Sequence, residues 1–194
     1  MTYLENVNRL GGIRKMYLPS DTKLNTEDVK QLEKQAGGIL PKSFSEFISR
    51  FGICSFNEEI EFKSFSNDAE FIHDDEAGLP NFTFESSTVS VFYGIDPEED
   101  KTYDIFENLK LFKDRIPDAF LPFATDGMGN QILISLNKDN YGRIYFWDHE
   151  AEWDVEDYEE ETGIPMREEV KYQNLWLIGN DFEDFFNRLQ ILDN

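Results

Sequence analysis

"GRIYFWDHE", Gly142–Glu150, sets four apolar or aromatic side chains in succession, Ile144, Tyr145, Phe146 and Trp147, and then turns to charge. Successive side chains of a strand point to opposite faces, so Tyr145 and Trp147 share one face and Ile144 and Phe146 the other. Neither face is polar. The strand must therefore be covered on both sides, which predicts a central place in a sheet. Upstream, "NKDNYG" turns the chain back from a strand predicted over Gln131–Leu136, so the two runs form neighbouring hairpin strands. "TDGMGN" is a further turn, preceded by the short apolar run Phe120–Phe123.

Helical patterns flank this centre. In "NTEDVKQLEKQAGG" either Asn25 or Thr26 can cap a helix, Glu27 and Asp28 place negative charge in the first turn, and Gly37 and Gly38 end it. In "ILPKSFSEFISRFG" Pro41 suits a first turn, Phe44, Phe47, Ile48 and Phe51 repeat at helical spacing, and Gly52 is a stop. Ile105, Leu109 and Phe112 predict a third helix closed by Pro117. "NDFEDFFNRLQIL" predicts a last one, capped by Asn180 or Asp181, with Phe182, Phe185, Phe186 and Leu189 on one face. Strands are expected over Glu59–Phe65 and Phe82–Ile95, separated by a polar loop or short irregular helix in the 66–81 insert. The class that follows is α+β, with a mixed or mainly antiparallel sheet and helices packed at both ends of the chain. At 194 residues one domain, 1–194, is expected.

Charge narrows the function. Eighteen Lys and Arg stand against 40 Asp and Glu, a net charge of -22. Such a chain repels phosphate backbones and attracts basic partners, so no direct nucleic-acid binding is expected. Residues 1–35 hold six basic and five acidic side chains, so nearly all of the excess lies beyond them. Between Asp148 and Glu161 there are nine acids and no Lys or Arg. Trp153, Val155 and Tyr158 are interleaved with them, as in interfaces where aromatics supply area and charges supply steering. The candidate partner-binding residues are Asp148, Glu150, Glu152, Trp153, Asp154, Glu156, Asp157, Tyr158 and Glu159. The opposing reading is a solvated or disordered acidic loop with Trp153 tucked onto the core.

Catalytic and metal signatures are missing. One Cys and two His do not make a structural zinc set. "NKDNYGRIYFWD" mimics a calcium loop only loosely: Tyr141 occupies a ligand position and the flanks are strands rather than helices. There is no phosphate-binding glycine motif and no nucleophile elbow. No cofactor, no metal and no catalytic residue is expected. Cys54, the single cysteine, reads as a small core residue. The N-terminus shows no secretory signal and no apolar run could span a bilayer, so a cytoplasmic protein without membrane contact is expected.

The ordered set of motifs resembles the SUKH superfamily, which includes fungal cell-wall-assembly regulators and bacterial immunity proteins. Leu40, Pro41, Phe44, Phe47 and Gly52 match its first helical motif. Pro122, Phe123, Ala124, Asp126, Gly129 and Asn130 match its turn. Gly142, Ile144, Tyr145, Trp147, Asp148, His149 and Glu150 match its strand end. The resemblance spans roughly residues 24–190, leaving 1–23 as an N-terminal extension. It implies an α+β fold without catalysis. In bacteria it implies an antidote that binds a toxin, often a basic nuclease, and so a cognate protein toxin as partner. A regulatory or scaffold protein of the same fold, without a toxin partner, is the other reading. The 66–81 insert and the acidic tract after Glu150 depart from the family pattern.

Overall fold

The computed structural model describes residues 1–17 and 21–192. Residues 18–20 of the expected extension lie outside the described residues. In chain order the elements are α1 (Tyr3–Arg9), β1 (Ile13–Lys15), α2 (Thr26–Ala36), α3 (Lys42–Phe51), β2 (Cys54–Phe56), β3 (Ile60–Lys63), β4 (Ser86–Thr88) and β5 (Val91–Phe92). They continue with α4 (Ile105–Phe112), β6 (Phe120–Thr125), β7 (Gln131–Ser135), β8 (Ile144–Trp147), α5 (Val155–Thr162), β9 (Leu175–Gly179), α6 (Phe182–Arg188) and β10 (Gln190–Ile191).

Seven strands form one sheet in the order β1-β2-β5-β6-β7-β8-β9, and β10-β3-β4 form a second. Every strand pair in both is antiparallel. The fold is α+β, as the sequence pattern requires. β8 lies between β7 and β9, pairing Tyr145 with Leu133 and Leu177, and its four side chains are all buried. Ile144 and Phe146 enter the larger core; Tyr145 and Trp147 enter a smaller one on the opposite face with Phe112, Ile116, Phe120, Leu133 and Leu175. The two-faced covering inferred from four residues is what holds this strand in the middle.

The larger core is aromatic. α3 begins after Pro41 and sends Phe44, Phe47 and Ile48 inward. Their burial contributes on the order of 5–9 kcal/mol before chain entropy is counted. Phe47 lies 4.9 Å from Phe92 of β5 and 5.3 Å from Phe182 of α6, ring centre to ring centre, and Phe44 lies 5.2 Å from Phe123 of β6. These offset and edge contacts lock two helices to the sheet. Asn25 caps α2 through the N–H groups of Glu27 and Asp28, and Asp181 caps α6 through that of Asp184.

Several elements depart from expectation. The single strand expected over Phe82–Ile95 is two short strands in different sheets. The Val89 N–H bonds Ile60 O in the small sheet, and the next N–H, of Ser90, bonds Thr125 O in the large one. Alternation specifies a face and not a partner, so the hand-over left no trace in the pattern. α1 and β1 were not foreseen. A Thr2–Glu5 capping box starts α1, and Arg9 ties its end to the carbonyls of Phe186 and Leu189 at 3.1 and 3.0 Å. β9 was also unread. Its outer edge is covered by the 66–81 region and the residue before it: Phe65 and Glu70 N–H groups bond Leu177 O and Leu175 O, each at 2.9 Å, and the Trp176 indole bonds Asn67 O. That segment satisfies an edge that would otherwise offer unpaired backbone groups.

Candidate functional site

Two turns meet where β8 ends. Asp126, at the start of the β6–β7 turn, accepts from the Met128 N–H at 2.8 Å and from the Asn130 amide at 2.8 Å. A carboxylate only accepts, so the Asn130 NH₂ must face Asp126 and its Oδ1 must face the other way. That oxygen receives both the backbone N–H of His149, at 3.0 Å, and its ring Nδ1, at 2.7 Å. The proton therefore sits on Nδ1. Gly129 lies under the ring: its φ is +104°, and a Cβ there would meet His149 Cε1 at 3.0 Å. Asp126, Gly129, Asn130 and His149 thus form one clamp between the turn and the strand end.

Asp148 completes the clamp. Its N–H bonds Asn174 O at 3.1 Å, its carbonyl accepts from the Asn174 amide at 2.8 Å, and its carboxylate takes the Glu150 N–H at 2.9 Å. His149–Ala151 forms a short 3-10 turn. Among the described residues no group of three or more His, Cys, Asp and Glu is arranged to hold a metal ion.

The acidic tract then folds into α5. The Asp154 side chain caps it through Glu156 N–H, Glu156 and Asp157 sit favourably in its first turn, and Gly163 closes it. Its one buried side chain is Tyr158, 4 % exposed, packed 6.1 Å from both Trp153 and His73, ring to ring. Where the alternative reading expected a loop there is a two-turn helix pinned at one point; its acids are solvated and Trp153 is partly tucked in, as that reading had it.

This geometry sorts the nine candidates. Glu150, Glu156, Asp157 and Glu159 are exposed, and Asp148 is half-buried. Asp154 is exposed but works as the cap. Tyr158 is buried and anchors α5 to the body. Glu152 is paired within the fold. Arg115, just past α4, grips its carboxylate with two nitrogens at 2.6 and 3.1 Å while lying over the Phe112 and Trp147 rings at 5.1 Å. Trp153 is half-buried, with its indole N–H enclosed and unpartnered among the described residues. Apart from Glu152, none of the nine acids has a basic partner within ion-pair distance among the described residues. Glu160 and Glu161, also exposed, join the face.

On the other side of the β6–β7 turn lies an open cleft of about 480 Å³ between α4 and the sheet. Tyr93, Asn108 and Gln131 line it, together with Gly129, the residue under His149. These three were not singled out by sequence. They come from three separate stretches of the chain, the residue after β5, α4 and β7, and none belongs to a motif.

The sequence model of the SUKH_6 family, described as SMI1-KNR4 cell-wall, matches residues 26–163. The chain belongs to this family. The match takes in both turns of the clamp and ends at the glycine that closes α5. The SUKH family includes immunity proteins, and its members are generally non-catalytic immunity or regulatory proteins. A relative from Bacillus subtilis strain 168, the SPbeta prophage-derived uncharacterized protein YokK, is 27% identical over 172 residues, 84% of this chain and 73% of its own length. No solved structure matches the chain. No helix among the described residues is long and apolar enough to cross a membrane.

Proposed function

We propose that this SUKH protein is a non-catalytic immunity protein, acting as one domain in the cytoplasm, that neutralises a basic protein toxin by direct binding. One observation carries the reading. Glu159, Glu160 and Glu161 occupy the last turn of α5, exposed and without basic partners among the described residues. The helix dipole disfavours negative charge there, and Glu160 and Glu161 each stand four residues after another acid, Glu156 and Asp157, where like charges repel. Acids in the first turn help a helix form, but these three weaken it, so folding does not account for them. A basic partner does, because the unpaired carboxylates speed its approach and fix its orientation. The partner-facing set is Asp148, Glu150, Glu156, Asp157 and Glu159, extended by Glu160 and Glu161, with Trp153 at its inner margin.

The test is capture and rescue. The immobilised protein is exposed at low salt to extract of its own cells, and the proteins retained are identified. A retained basic protein that arrests growth when expressed alone, and is silenced by co-expression of this chain, establishes the function. The Glu159→Lys, Glu160→Lys, Glu161→Lys variant should associate more slowly, and raised salt should slow the parent towards it, since at ~0.15 M salt charges are screened beyond ~8 Å. An association rate untouched by salt and by the three reversals removes α5 from the interface. A captured protein whose expression is harmless removes the toxin, and leaves the regulatory or scaffold role of the same fold.

A further inference from the structure

The cleft between α4 and the β6–β7 turn is lined by polar side chains, several of which spend their donors within the fold. The Asn108 amide gives both N–H groups to carbonyls, of Thr102 at 3.0 Å and Asp104 at 2.9 Å. The Gln131 amide bonds Gly129 O at 2.9 Å, the Tyr93 hydroxyl bonds Gln131 Oε1 at 2.7 Å, and the Thr125 hydroxyl bonds Asn130 O at 2.9 Å. Burial raises the Tyr93 pKa, which keeps that phenol protonated and donating. On Asn108 what remains open is acceptor capacity. Asn108 is 7 % exposed, lines the cleft, and has no protein donor on its Oδ1 among the described residues. Its two donated bonds fix which way the amide points.

The rim adds charge. Asp100 and Glu107 are exposed at the mouth. Lys101, also at the rim, turns its ammonium onto Asp96 O. Lys110 touches one Glu107 oxygen at 3.4 Å and leaves the other free. Leu111, 63 % exposed, and the buried Phe112 provide an apolar wall beside these carboxylates. A free acceptor, two carboxylates and an apolar wall suit a group that only donates, carries positive charge and rides on an aliphatic stem.

We propose that the cleft receives an arginine side chain of the protein's partner, with the guanidinium shared between Asn108 Oδ1 and the Asp100 and Glu107 carboxylates. The stem lies along Leu111 and Phe112. This rests on the reading of a basic partner, but uses residues distinct from α5 and places a specific contact beyond the long-range attraction of that helix.

The test needs no partner. The isotope-labelled full-length protein is titrated with Nα-acetyl-arginine amide at low salt and followed by amide NMR. The citrulline analogue serves as the uncharged control. Saturable shifts of the Asn108 side-chain amide and of Gly127 and Gly129 are expected with arginine and not with citrulline. An Asp100→Asn, Glu107→Gln variant, altered only at the exposed rim, should keep its spectrum and weaken the binding about fivefold or more. Shifts confined to α5, equal shifts with citrulline, or an affinity unchanged in the variant would each overturn the assignment. The immunity reading fails on a different result, the growth-rescue experiment.

Discussion

Trp147→Ala tests the two-faced covering of β8 most directly. The side chain is fully buried in the smaller core, meets Phe112 edge-on at 5.4 Å, and carries the Arg115 guanidinium over its ring at 5.1 Å. A buried aromatic removes ~150–250 Å² from water, worth about 4–6 kcal/mol at ~25 cal/mol per Å². One feature works against it. The indole N–H is buried with no hydrogen-bond partner among the described residues, a desolvation penalty of about 1–3 kcal/mol that the truncation abolishes. The cavity adds back, and Arg115 loses the surface on which it reaches Glu152, so the net loss should be ~3–5 kcal/mol. Trp147→Phe is the decisive companion. It keeps most of the ring area and deletes the unpaired N–H, so it should fall within about 1 kcal/mol of the parent. Urea unfolding followed by far-ultraviolet circular dichroism measures both, with an unchanged denaturant slope confirming the same transition. An Ala variant within about 1 kcal/mol of the parent would show that this face of the sheet is not packed as described. A Phe variant as damaged as the Ala variant would show that the indole N–H makes a bond on which the core depends.

Three further outcomes are expected. Reversing Glu159, Glu160 and Glu161 to Lys should raise stability by about 0.5–1.5 kcal/mol at low salt, because cations favour a helix C-terminus; a lower urea midpoint would mean these carboxylates are held by contacts within the fold. Cys54 is buried, and burial pushes its thiol pKa well above the ordinary value, so an aromatic disulfide reagent at pH 8 should label it only as fast as the protein unfolds; rapid labelling of the native protein would refute its core placement. Burial opposes ionisation of Asp184, but the Asn180 N–H and the Arg188 guanidinium outweigh it and hold the carboxyl below its usual value. A depressed folded pKa stabilises above the unfolded value and loses that effect as pH falls through the folded one. Asp184→Asn should therefore cost stability at pH 7 and converge on the parent as pH falls through the folded pKa; a gap that persists in acid would assign the cost to packing.

What could be read from the sequence, and what could not, follows from where the determining forces act. α2, α3 and α6 carry their own signals: a capping side chain or a proline at the start, apolar residues at helical spacing, a glycine stop in the first two. β8 was legible because its covering on both faces is written in four consecutive residues. The strands β4 and β5 are two or three residues long and are held by their neighbours' carbonyls, so their own pattern could not assign them to different sheets. α1 buries Tyr3, Asn6 and Val7, and the polar Asn6 interrupts the periodicity that would have disclosed it. β9 is different: "LWLIG" is a plainly apolar run and could have been recognised as a strand.

The candidate site divides along the same line. Composition located the acidic face, but charge alone could not separate acids used inside the fold from acids left exposed. Asp154 looks no different in sequence from Asp157, yet one caps a helix and the other faces solvent. Glu152 and Glu150 are two positions apart, yet one is gripped by Arg115 and the other is free. The family-matching residues resolve in the opposite sense. Asp126, Asn130 and His149 stand in the motifs a reader would first suspect of chemistry, and they spend their hydrogen bonds on one another, holding a turn against a strand end. Around that clamp lie the surfaces with unspent capacity: the carboxylates of α5 on one side, the open acceptor of Asn108 on the other. On the proposed reading, such a fold changes partners by changing α5 and the rim of the cleft while the clamp stays as it is. Substitutions at Asp126, Asn130 or His149 should therefore disturb both surfaces together, whereas substitutions at Glu159 or Asp100 should disturb one and leave the other intact.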